Sequence, residues 1–121
     1  MKLRNVLLVV KDPERSKQFY GQLFGLQPVL DGDENVILTE GLVLQKETVW
    51  RDAIGEDVLY RNHAAELYFE ERDLEGFVKR TEAYGEPVSF AQHLTVLPHG
   101  QKMLRLYDPD GHLIEVREKF R

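Results

Sequence analysis

The chain has 121 residues, 42% hydrophobic and 31% charged, a composition that suits a single folded domain and excludes a disordered polymer. It has no cysteine, so disulfides, thiolate metal sites and cysteine nucleophiles are excluded together. A net charge of −5 argues against a nucleic-acid binder, and a mild acidic excess suits a cationic ligand.

The first element read from the N-terminus is a buried strand, Leu3 to Val10, rich in valine and leucine and flanked by charge. Its apolar run, Val6 to Val10, is far short of the roughly 20 residues of a spanning helix or the roughly 7–15 of a signal peptide's apolar segment. A cytoplasmic protein with neither membrane nor nucleic-acid partners is expected. Asp12-Pro13 opens a helix: the aspartate accepts from the exposed first-turn amides, and proline is preset for the first helical position. Phe19 and Leu23 share a face with Tyr20 and Phe24 beside them, and Gly25 is the C-cap. Strands follow at Pro28 to Leu30, Asn35 to Thr39 and Leu42 to Lys46, separated by Asp31-Gly32-Asp33 and Glu40-Gly41.

The second half repeats this order. Ala65 to Glu70 is an alternating strand, and Asp73 caps a helix whose inner face is Phe77, Thr81 and Tyr84 and whose end is Gly85. Strands follow at His93 to Leu97, Gln101 to Tyr107 and His112 to Arg117. Phe24-Gly25-Leu26-Gln27-Pro28-Val29 answers Tyr84-Gly85-Glu86-Pro87-Val88 with one residue dropped, and Gly41-Leu42-Val43-Leu44-Gln45 answers Gly111-His112-Leu113-Ile114-Glu115. One β-α-β-β-β module is therefore used twice, at about residues 1–46 and 63–121 with a connection at 47–62, within a single domain spanning 1–121.

Three segments resemble the glyoxalase/bleomycin-resistance/dioxygenase superfamily, the vicinal-oxygen-chelate proteins. They are Val10-Lys11-Asp12-Pro13-Glu14-Arg15-Ser16-Lys17-Gln18-Phe19-Tyr20, then Leu23-Phe24-Gly25-Leu26, and finally Tyr107-Asp108-Pro109-Asp110-Gly111-His112-Leu113-Ile114-Glu115-Val116. The resemblance implies an α+β fold in which two β-α-β-β-β modules form one open, curved, mixed sheet around a ligand cavity, in a protein that is often a homodimer. It implies activity weakly, because one fold hosts many chemistries.

In metal-using members of that superfamily, the first and last strands of each module supply four ligands. Mapped through the repeat, these positions are Asn5, Gln45, Glu66 and Glu115. Gln45 and Glu115 match the superfamily's pattern, Asn5 is a short ligand, and Glu66 stands in place of a histidine. Imidazole-loving nickel, zinc and iron are poorly served by such a set, whereas manganese or magnesium suits it better. Asn5 and Gln45 otherwise hydrogen-bond within a polar cavity. Glu66 and Glu115 are placed as partners, and two carboxylates on one cavity require a shared proton, an intervening cation, or an arginine, with Arg105 and Arg117 as candidates. Strand alternation puts Leu7, Val43, Tyr68 and Glu70 on the same face, with Arg105 or Met103 joining from the next strand. The resemblance implies that Trp50, in the connection, either closes over the cavity as a lid or packs in the core.

The leading expectation is a glyoxalase-like small-molecule-binding protein with no tight transition metal and no cofactor, in which Glu66 and Glu115 carry any acid/base step. The alternative is a lyase or isomerase of the glyoxalase type using manganese or magnesium on Gln45, Glu66 and Glu115. A dioxygenase is the weakest reading, since its iron takes two histidines.

Overall fold

The computed structural model describes residues 1–119. It divides into two compact units, the first ending at Leu59 and the second beginning at Tyr60. The first runs β1 (Val6–Val10), α1 (Pro13–Phe24), β2 (Pro28–Asp31), β3 (Asn35–Leu38) and β4 (Leu42–Lys46), followed by α2 (Glu47–Ile54). The second runs β5 (Glu66–Glu71), α3 (Leu74–Ala83), β6 (Phe90–Val96), β7 (Lys102–Tyr107) and β8 (Leu113–Glu118). Each unit builds a four-stranded mixed sheet, in the orders β1-β4-β3-β2 and β5-β8-β7-β6, so the architecture is α+β with the repeated module expected from the sequence. In each, the first and last strands of the module pair in parallel and the remaining pairs are antiparallel. No helix among the described residues is long and apolar enough to cross a membrane.

In the first unit, the Asp12 side chain accepts from the amides of Glu14 at 3.1 Å and Arg15 at 3.3 Å, which starts α1. Gly25, at φ +72°, ends it. Phe19, Tyr20 and Leu23 of α1 are buried together with Val10, Val36, Leu38, Leu42 and Leu44, one face of the sheet. Burying each such side chain contributes on the order of 1.5–3 kcal/mol.

The second unit repeats the device. Asp73 accepts from the Gly76 amide at 3.0 Å, and Leu74, Phe77 and Thr81 of α3 are buried with Leu104, Leu106, Ile114 and Val116. The helix stops at Ala83, because Tyr84 turns extended (φ −66°, ψ 144°) and Gly85 is not its cap. Tyr84 is only half-buried, so the inner face is carried by Phe77 and Thr81.

Three other details differ from the sequence reading. Leu3 to Asn5 precede β1, since the partner strand β4 starts at Leu42. Gly41 (φ +77°) makes the approach to that point; a Cβ there would lie 2.9 Å from the Arg4 carbonyl. The segment 47–62 is not all connection, because Glu47–Ile54 is helical with Gly55 as its left-handed cap. Finally, β6 starts at Phe90 rather than His93, and two register shifts interrupt the period-two pattern that marks a strand.

Candidate functional site

In the second unit, the loop Asp108 to His112 sets where β8 begins. The Asp108 carboxylate accepts from the amides of Asp110 at 3.0 Å and His112 at 2.9 Å, and pairs with His112 Nδ1 at 2.8 Å. From there, β8 alternates between two faces. Ile114 and Val116 go to the face that carries the buried core, while Leu113, Glu115 and Arg117 go to the other. Register adds neighbours to that second face: Tyr68 lies beside Glu115 from β5, and Arg105 lies beside it from β7. Glu66 and Glu70 flank Tyr68 on the same face of β5.

Glu115 is 3% exposed, and both its oxygens are taken. Arg105 Nη2 donates to Oε1 and Arg117 Nε donates to Oε2, each at 2.6 Å. The same Arg105 guanidinium donates through Nε to Glu66 at 3.3 Å and through Nη1 to Gln92 at 2.7 Å. Arg117 Nη1 donates to Gln101 at 3.2 Å, and Gln101 is fixed in turn by donating to the Glu118 carbonyl at 2.9 Å. The result is a row, Glu66–Arg105–Glu115–Arg117, in which signs alternate and each guanidinium is held from two sides. Burial pushes the Glu115 carboxyl up, but the Arg117 hydrogen bond and the charges of Arg105 and Arg117 outweigh it and hold the group below the ordinary carboxylate range. Of the three ways to accommodate two facing carboxylates, the arginine is the one found. The repulsion that a cationic ligand would relieve is already neutralised.

The first unit places its candidates differently. Leu7 and Val43 are register partners, and Gln45 sits between Val9 and Asn35. Asn5 is exposed ahead of β1, beside Gly41. Four residues separate it from the level of Gln45, which is about 13 Å of strand, so Asn5 and Gln45 do not come together. The register also corrects the internal match. Leu7 and Tyr68 occupy the same place before their capping aspartates, and their partners are Val43 and Glu115, so Val43 rather than Gln45 is the counterpart of Glu115. Trp50 is half-buried on α2.

These residues do not fit the four-ligand metal set of the metal-using relatives. Asn5 and Gln45 are apart, an apolar valine takes the position equivalent to Glu115, and Glu115 has both oxygens engaged by guanidinium groups. Among the described residues no group of three or more His, Cys, Asp or Glu side chains is arranged to hold an ion. Arg117 was a sequence-level candidate for pairing the carboxylates, but Gln92 and Gln101 were not. Gln92 lies at a register irregularity of β6, where alternation carries no signal.

Residues 3–121 match the family model described as "Glyoxalase-like domain". No curated protein sequence matches the chain. Among solved structures, a protein of unknown function from Agrobacterium tumefaciens str. C58 is similar at 28% identity and a TM-score of 0.83, over 99% of this chain and 95% of that one. A glyoxalase-related enzyme from Fulvimarina pelagi is similar at 27% identity and a TM-score of 0.79, over 98% and 88%. A glyoxalase/bleomycin resistance protein/dioxygenase family enzyme from Burkholderia phytofirmans PsJN shares the fold at 15% identity and a TM-score of 0.80, over 99% and 100%.

Proposed function

The chain belongs to the glyoxalase-like domain family, and on that premise we propose that it is a small-molecule-binding protein that works without a tightly held transition metal. The observation that carries this reading is the Arg105 guanidinium lying between Glu66 and Glu115, with Arg117 on the remaining oxygen of Glu115. An ion seated on Glu115 would have to displace a charge-assisted hydrogen bond on either side, and the neighbouring strands supply no imidazole to compensate. Glu115, held ionised, serves as the acceptor that fixes two arginines. Any proton transfer falls to Glu66, whose side chain is 33% exposed.

The lyase or isomerase alternative would use manganese or magnesium on Gln45, Glu66 and Glu115, and needs Arg105 to withdraw. Elemental analysis of protein purified without a histidine tag separates the two. The expected result is far less than one manganese, nickel, zinc or iron per chain. A stoichiometric metal that is lost in Glu115→Ala overturns the reading. The proposal includes a homodimer, supported by Val29 and Leu30, 69% and 57% exposed on the edge strand β2. A sedimentation mass of one chain at micromolar concentration counts against that part.

A further inference from the structure

Arg105 and Arg117 are not spent by the contacts that hold them. A guanidinium has five N–H donors. Among the described residues Arg117 uses two, on Glu115 and Gln101, and its side chain is 28% exposed. Arg105 uses three, on Glu66, Gln92 and Glu115, with its side chain 33% exposed. The acceptors, by contrast, are committed: both Glu115 oxygens and the Gln92 and Gln101 carbonyls already receive hydrogen bonds. A ligand that engages the remaining N–H groups of Arg117 therefore has to bring acceptors, although the exposed carboxylates of Glu66 and Glu70 lie on the same face. Beside the arginines, residue Tyr68 is 53% exposed, and the Arg117 guanidinium lies 5.9 Å from its ring centroid.

We propose that this face binds a small organic carboxylate, its two oxygens on the outward N–H groups of Arg117 and its planar or apolar body on Tyr68. The inference rests on the metal-free reading, since an ion at Glu115 would pull apart the row that positions Arg117. Carboxylate geometry matches the guanidinium fork bidentately, and the fork is already ordered by Glu115 and Gln101, which reduces the entropy lost on binding. Arg105, already facing two carboxylates, contributes positive potential more than donors. Glu70, exposed and in register with Arg117, opposes an anion and sets a ceiling on affinity.

The test is calorimetric titration of the full chain with benzoate, benzyl alcohol and benzamidinium, which share a ring and differ in the polar group. Benzoate should bind at least about tenfold more tightly than either of the others. Arg117→Gln should weaken benzoate about tenfold, and Tyr68→Ala, at an exposed position that leaves the core intact, about fivefold. Glu70→Gln should tighten it about twofold. Preference for benzamidinium overturns the proposal, as does benzoate binding that survives both Arg117→Gln and Tyr68→Ala, or no benzoate binding at millimolar concentration. Such a failure with metal content still low leaves the metal-free reading in place, whereas stoichiometric metal removes that reading first.

Discussion

Replacing Arg105 with alanine removes a cation that touches both Glu66 and Glu115. Deleting one partner of a fully buried ion pair costs about 3–5 kcal/mol, because the other charge is left in a poor solvent. Two features reduce that figure here. Arg105 is 33% exposed, so water reaches the vacated space, and Glu115 keeps Arg117 at 2.6 Å on its other oxygen. A loss of about 2 kcal/mol is therefore expected, equivalent to a fall in Tm of about 6–12 °C for a chain of this size. Urea denaturation of the wild type, Arg105→Ala, Glu115→Gln and the double variant measures it as a cycle. Glu115→Gln on its own removes the charge that needs Arg105, so the double variant should be more stable than the sum of the singles by about 1.5 kcal/mol. A loss below about 0.5 kcal/mol, or strict additivity, would refute the claim that Arg105 and Glu115 act as a unit.

The pH dependence of stability has an assigned source at His112. Burial pushes its imidazole down, but the hydrogen bond and charge of Asp108 more than offset this and hold it above the ordinary histidine value. The protonated form thus stabilises the fold at pH below the unfolded imidazole's value, and that contribution is lost as pH rises through the folded one. His112→Gln should be most destabilising near pH ~5 and least near pH ~9; chemical denaturation across that range checks it, and a penalty that grows with pH contradicts it. Gly76→Ala puts a methyl against the Asp73 carboxylate that caps α3. Thermal unfolding should show a loss of about 1 kcal/mol despite alanine's better helix propensity, and stabilisation would refute the role of the cap.

Much of the module was legible because its signals are local. Asp12, Gly25 and Asp73 mark helix ends through single side chains or a single φ angle, and β4 was bounded correctly at Leu42 and Lys46 by a turn on one side and charge on the other. What escaped depends on non-local pairing. The extent of β1 is set by where β4 begins, and β6 is disguised by two register shifts. The helix containing Trp50 is eight residues long with no buried residue, too short for an apolar periodicity to stand out. At the site, the sequence identified Glu66, Glu115, Arg105 and Arg117 as a problem in charge balance with three solutions, and distance alone selects one. The internal match misaligned Gln45 with Glu115 because two glycines, Gly41 and Gly111, look alike in sequence while the strands after them pair two residues out of step.

The most direct test of the central proposal, that Arg105 rather than a metal ion lies between Glu66 and Glu115, is calorimetric titration of manganese into the untagged wild-type protein and into Arg105→Ala. The wild type should give no binding heat at micromolar to submillimolar manganese. Arg105→Ala, with Glu66 and Glu115 released towards each other, should give a weak one-to-one isotherm that Glu115→Gln abolishes. Micromolar manganese binding by the wild type, lost in Glu115→Gln and unchanged in Arg105→Ala, would contradict the account.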